Sequence, residues 1–282
     1  MKQVYKTQEL CKGLYSIAEE YGAAAGTVMM YLVVGEEKAA LFDSGFGVMD
    51  TLRTLVEEIT DKPVVCIVGH GHPDHVGAAP LFDKIYMNER DEELLPISLS
   101  YDRRMGDVFG RYEDEELDAY CREHIVMTDK LEYKNIDDGA VIDLGGTVLR
   151  VIAIPGHTRG SLVFYNEKDN YALTSDAFST RTALVTLPPE KRVGIEAYRN
   201  GLSQFLEAIN EDTKIYWGHA KEEMPHSVPR DMCRACEEVL NGETEHDTVS
   251  DNPFTRRASA NGKKMREHTC GSVVLVYDAN TL

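Results

Sequence analysis

Disulfide-forming sequence is scarce in this 282-residue chain, which has six cysteines scattered over its length and a single tryptophan. Cys11, Cys66, Cys121, Cys233, Cys236 and Cys270 do not have the density of a small disulfide scaffold. Reduced thiols and a cytoplasmic compartment are therefore expected. Basic residues are also few: 30 Lys and Arg stand against 48 Asp and Glu, a formal net charge of −18. An acidic surface of this kind excludes broad, non-specific binding to nucleic acid or anionic lipid. Long apolar runs are missing as well. Stretches such as TVMMYLVV at 27–34 have the length of a strand, whereas a bilayer span needs roughly 20 residues. The first residues, MKQVYKTQELCKG, lack the apolar segment of a secretory signal, so an unprocessed chain with no membrane association is expected. Neither an internal repeat nor a low-complexity tract is present.

A hydrophobic content of 43% is enough for a sizeable core and excludes general disorder. Apolar runs at 27–34 and 38–42 flank a Gly35-Glu36-Glu37 turn and predict an antiparallel pair. Leu52, Leu55, Val56 and Ile59 share one face of a helix over about 49–60, and PVVCIV at 63–68 reads as a buried strand. Residues 91–138 change character, with an Arg- and aromatic-bearing stretch and an acidic helix-like run at 113–124. This segment is read as an insertion over the scaffold. Strand patterns return at 140–143, 147–154, 161–166, 171–175 and 214–217. Helices are predicted at about 194–210 and 229–240, a polar loop at 241–268 and a closing strand at 272–277. The whole reads as one layered α/β domain over 1–282, with its polar residues at strand ends.

The chemistry concentrates in Val68-Gly-His70-Gly-His72-Pro-Asp74-His75-Val-Gly77. With nine histidines in the chain, three within six residues is not a chance cluster. Imidazole and carboxylate suit zinc and neighbouring transition metals. In an extended loop His70 and His72 point the same way. Asp74 and His75 lie past the Pro73 turn and can serve a second point. Three further polar residues follow strands: His157 in PGHTRGS, Asp176 after 171–175, and His219 after 214–217.

Taken together, HxHxDH, PGHTxGS, a strand-end Asp and GH after a strand resemble the metallo-β-lactamase-fold hydrolase superfamily, over about residues 26–219. The resemblance implies a four-layer αβ/βα sandwich with metals at one edge. It implies that His70, His72 and His157 hold a first metal and that Asp74, His75 and His219 hold a second, with Asp176 bridging. Asp43 in Leu41-Phe-Asp-Ser-Gly45 matches the family's D-x-G element and is expected to orient a ligand histidine. The implied cofactors are two divalent ions, zinc first, with iron or manganese also compatible with this ligand set. The implied activity is hydrolysis of a small carbonyl substrate (thioester, lactone, ester or cyclic amide) by a hydroxide bridging the metals, with Asp74 orienting it or passing a proton. A phosphodiesterase of the same superfamily is the alternative, and an iron redox or metal-binding protein the third reading. No flavodoxin domain is expected, and His72 stands where flavodiiron proteins usually have Glu. Two departures from the pattern are Ser175 before Asp176 and Ala220 after His219.

Arg159 and Ser179 are candidate substrate contacts; an arginine in the cleft would favour an anionic group. Tyr101, Arg103, Arg104, Arg111, Tyr112, Thr180 and Arg181 are read as ordinary surface groups, and an oligomer is left open. Cys233 and Cys236, a lone CxxC, share a helix face and are read as packing residues. His124, His246 and His268 carry no motif, and His226 follows His219 closely enough to line the cleft. Arg256, Arg257, Lys263 and Lys264 form a small basic spot read as solvated loop.

Overall fold

The computed structural model describes residues 4–20, 26–108, 115–184, 192–250 and 265–280. Arg111, Tyr112, the start of the acidic run at 113–114 and the basic spot at 256–264 lie outside them.

The chain opens with a hairpin, β1 (Tyr5–Cys11) and β2 (Leu14–Glu20), followed by β3 (Thr27–Val34) and β4 (Ala39–Phe42). Helix α1 (Leu52–Ile59) buries Leu52, Leu55 and Val56, the stripe set by its apolar spacing. Next come β5 (Val64–Ile67), the one-turn α2 (Pro73–Val76) and β6 (Ile85–Met87). A 3-10 helix, Glu89–Leu94, leads into α3 (Leu95–Ser98), α4 (Tyr101–Val108) and α5 (Glu115–His124). Strand β7 (Lys134–Asn135) completes a seven-stranded sheet in the order β1 to β7. A second, five-stranded sheet comprises β8 (Val141–Asp143), β9 (Val148–Ala153), β10 (Leu162–Asn166), β11 (Tyr171–Leu173) and, after β12 (Arg181–Ala183) and α6 (Ile195–Ala208), β13 (Lys214–Tyr216).

The two sheets face each other across a core that includes Met29, Phe42, Val151, Leu162 and Phe164, with the Phe42 and Phe164 rings 4.6 Å apart. Helix α1 and the insertion cover the outer face of the first sheet. Helices α6 and α7 (Ser227–Leu240) cover the second. This is the four-layer αβ/βα sandwich, with a helical insertion after β6. Both cysteines of the CxxC, Cys233 and Cys236, pack into this second helical layer, and none of the six cysteines forms a disulfide. Among the described residues no helix is long and apolar enough to cross a membrane.

The reading of 241–268 as loop is corrected. It contains β14 (Thr248–Val249) and most of β15 (Arg266–Cys270), which with β16 (Val273–Tyr277) and β12 form a third, four-stranded sheet. Only alternate residues of β15 are buried, so its sequence REHTC is polar on average and conceals the strand.

Strand direction positions the site. β4 and β5 are parallel, β9 and β11 each run antiparallel to β10, and β11 and β13 are parallel. The C-terminal ends of β9, β11 and β13 thus lie together, opposite those of β4 and β5. At this edge the sheets are joined by main-chain hydrogen bonds from Leu162 to Gly69 (2.9 Å) and from Met29 to Gly218 (2.8 Å).

Candidate metal centre

All seven histidines and aspartates singled out as ligands meet at that edge, in two adjoining groups: His70, His72 and His157, and Asp74, His75, Asp176 and His219. In the first group His72 Nδ1 lies 3.0 Å from His70 Nε2 and 3.0 Å from His157 Nε2. In the second, Asp176 Oδ2 lies 2.9 Å from His219 Nε2 and 3.5 Å from His75 Nε2. Asp74 Oδ2 is 3.3 Å from His219 Nε2 and 3.4 Å from His75 Nε2. Asp176 Oδ2 is also 3.9 Å from His157 Nε2, so the carboxylate stands between the two groups.

Each element delivers its side chain for a local reason. His72 caps α2 in extended conformation and Pro73 occupies the first helical position, where a missing N–H costs nothing. One turn of helix then presents Asp74 and His75 to the same centre. Asp43 and Ser175 end their strands in left-handed backbone, at φ of 61° and 47°. Such conformations persist only where the surroundings fix them, and here both side chains are fixed. Asp43 Oδ1 accepts from the Gly69 amide at 2.7 Å; its Oδ2 accepts from Ser175 Oγ at 2.7 Å and from His75 Nδ1 at 2.9 Å. Ser175 Oγ, having donated to Asp43, accepts from His70 Nδ1 at 3.1 Å. His219 Nδ1 donates to the Thr27 carbonyl at 3.1 Å. The outward nitrogens of His70, His75 and His219 are thus bonded, which leaves their Nε2 atoms aimed inward.

Burial pushes the pKa values of His70, His72 and His157 down; the neighbouring imidazoles add to this for His70 and His72, and His72 falls to about 3. This half of the site holds neutral nitrogen donors. In the other half burial would raise the two carboxylic acids, but His75 and His219 outweigh it and hold Asp74 and Asp176 well below the usual range. Burial likewise opposes charge on His75 and His219. Asp74, Asp43 and Asp176 nevertheless hold His75 well above its ordinary value, and Asp176 and Asp74 push His219 up to about 11. The carboxylates gather positive charge at this point.

The donor set fits metal ions. Three imidazole nitrogens facing one another at 3.0 Å cannot all be satisfied by protons, whereas one cation among them satisfies all three. In the second group His75 Nε2 and Asp176 Oδ1 are buried without a hydrogen-bond partner. Buried donor atoms with no protein partner suit coordination of an ion.

The other sequence candidates take varied places. Arg159 is partly exposed and pairs with Glu93 at 3.6 Å. Ser179 Oγ donates to the Arg181 carbonyl at 2.9 Å inside a turn, and Arg181 pairs with Glu267. His226 Nε2 lies 2.7 Å from the Thr213 carbonyl, a bond that ties the start of α7 to the turn before β13. Arg103 pairs with Asp107 along α4, whereas Arg104 is wholly buried. Sequence reasoning missed the bridging role of the Ser175 hydroxyl. Its one signal was the departure from glycine before Asp176.

Fold and site define a member of the metallo-beta-lactamase superfamily: residues 23–219 match that family, and the chain belongs to it. Among its relatives is an acyl-coenzyme A thioesterase of Homo sapiens, 24% identical over 241 residues, covering 76% of this chain and 81% of that protein. A hydroxyacylglutathione hydrolase of Haemophilus influenzae is 26% identical over 191 residues, 65% of this chain and 81% of that one. The crystal structure of a beta-lactamase domain protein from Burkholderia ambifaria shares the fold, with a TM-score of 0.58 at 19% identity over 85% of this chain and 74% of that one. The protein is a superfamily hydrolase with a His/Asp cluster that could hold metal.

Proposed function

We propose that the protein is a dinuclear metal-dependent hydrolase of small carbonyl substrates, thioesters first among them. The observation that carries this reading is the pair of adjoining ligand groups that share Asp176. His70, His72 and His157 would hold one divalent ion and Asp74, His75 and His219 the other, zinc first among the candidates. Such a pair supplies a Lewis acid for the substrate oxygen and a water made nucleophilic near neutral pH. The chain's own residues do the rest. Ser175, Asp43 and the Thr27 carbonyl fix the rings of His70, His75 and His219 so that the donor atoms keep their directions. The Asp74 carboxylate keeps 18% of its side-chain surface exposed while the adjacent His75 is wholly buried. With the Asp176 carboxylate standing between the two groups, Asp74 would accept the hydrogen of an attacking water and pass a proton to the leaving thiol or alcohol. An acyl-coenzyme A thioesterase and a hydroxyacylglutathione hydrolase among the relatives support the thioester preference.

The test starts from chelator-stripped protein reloaded with zinc or manganese. A thioester, a lactone and an activated phosphodiester are then assayed in parallel. Carbonyl turnover that requires metal and vanishes in His72→Ala is expected. Turnover of the phosphodiester alone, or full activity in a metal-poor Asp176→Asn variant, would overturn the reading.

A further inference from the structure

The two loops that carry His70, His72 and His157 come from different sheets. Besides the contact between the His72 and His157 rings, one group outside every ligand position bonds both loops. Asp91, in the 3-10 helix that opens the insertion, has no exposed surface. Its Oδ2 accepts from the Gly71 amide at 2.8 Å and from Thr158 Oγ1 at 2.7 Å, and its Oδ1 accepts from the Gly160 amide at 2.7 Å. Gly71 lies between His70 and His72. Thr158 and Gly160 follow His157. One buried carboxylate therefore bonds both sides of the three-histidine group.

The fit extends to the residues around it. A Cβ on Gly160 would lie 2.8 Å from the Asp91 carboxyl carbon, and a Cβ on Gly71 would lie 3.0 Å from the Asp91 Cβ. Only glycine lets both backbones approach this closely. Ser161 Oγ accepts from the Thr158 amide at 3.0 Å and lies 2.9 Å from Thr158 Oγ1, so it holds the hydroxyl that faces Asp91. The Thr, Gly and Ser of PGHTRGS thus all serve one contact, and so does the Gly of His70-Gly-His72.

We infer that Asp91 is a positioning residue that sets the spacing of His70, His72 and His157, and with it the affinity of that half of the centre for its metal. The inference rests on the dinuclear reading above. It predicts a selective defect: the second group is held by Asp43, Ser175 and Thr27 and does not touch Asp91. Asp91→Asn keeps the volume but replaces one acceptor oxygen with an amide that faces a donor, so one of the loops is released.

The experiment titrates metal-free wild type and Asp91→Asn with cobalt(II) and with zinc against a chromophoric chelator. Binding constants and the cobalt visible spectrum are read, and apo-protein melting and circular dichroism are recorded alongside. Wild type is expected to bind two ions. Asp91→Asn is expected to keep the second group's affinity and lose roughly 10–100-fold at the three-histidine group, the usual scale for removing such support. Thr158→Val, which deletes one of the three bonds, should lose affinity at the same group by a smaller factor. It also serves as the second variant if Asp91→Asn does not fold. Wild-type constants at both groups in the folded variant, or an equal loss at both, would overturn the inference. Failure of wild type to bind two ions would instead overturn the dinuclear reading.

Discussion

Arg104 looks in sequence like one of two adjacent surface arginines, yet it is fully buried. Its guanidinium donates to the carbonyls of Phe46 (3.0 Å), Val126 (2.5 Å), Leu99 (3.3 Å) and Gly77 (3.4 Å). Two of these carbonyls belong to the scaffold and two to the insertion. Arg104→Met keeps the apolar stem and deletes the donors. Leaving the two short-bonded carbonyls unsatisfied costs about 2 kcal/mol each and the two long-bonded ones about 1 kcal/mol each, roughly 6 kcal/mol in all. Against this stands relief from burying a cation. Burial, only partly offset by Glu19, lowers the Arg104 pKa from 12.5 to about 10. At about 1.4 kcal/mol per unit that relief is on the order of 3 kcal/mol. The net expected loss is about 3 kcal/mol, or roughly 6–10 °C in melting temperature for a chain of this size. Urea unfolding and limited proteolysis of the insertion measure it. Unchanged stability, or a gain, would refute the view that these four bonds outweigh the buried charge.

Asp43→Asn should preserve the backbone, since Asn tolerates left-handed φ, while removing the charged acceptor for His75. Metal affinity is expected to fall roughly 10–100-fold, mainly at the Asp74, His75, Asp176 and His219 group, with an unchanged circular dichroism spectrum. Wild-type affinity in chelator competition would contradict it. His268 lies between Asp247 Oδ1 at 2.7 Å and Glu238 Oε2 at 2.9 Å. Burial opposes its charge, but the two carboxylates win and its pKa is raised above 6.5. Its stabilising effect is therefore complete below about pH 6.5 and lost as pH climbs through the raised value. His268→Gln should cost about 2 kcal/mol at pH 6 and much less at pH 10. Equal melting losses at the two pH values would sink this account.

The clustering of the seven candidate ligands was legible because each sits in a short run of distinctive spacing, as in His70-Gly-His72 or Gly218-His219. The apolar strands and the helices α1, α6 and α7 were legible because burial imposes a period on them. What was hidden is long-range and polar. Asp91 lies in an acidic run, NERDEELL, where nothing marks one carboxylate as buried; its partners lie 20, 67 and 69 residues away. Arg104 is hidden for the same reason. The hairpin β1–β2 was overlooked because β1 is an edge strand exposed along most of its length.

The third sheet separates the extent of the family match from the extent of the folding unit. The match ends at residue 219, yet β12, which begins five positions after Asp176, pairs in parallel with β16, Arg181 opposite Val274 and Ala183 opposite Val276. The segment that leaves the shared carboxylate is thus finished by residues nearly a hundred positions downstream that carry no motif. A fragment trimmed to the recognisable motifs would keep every ligand and still leave that segment as an unpaired edge. Truncations and fusions at the C-terminal side are therefore expected to reach the candidate metal centre through β12.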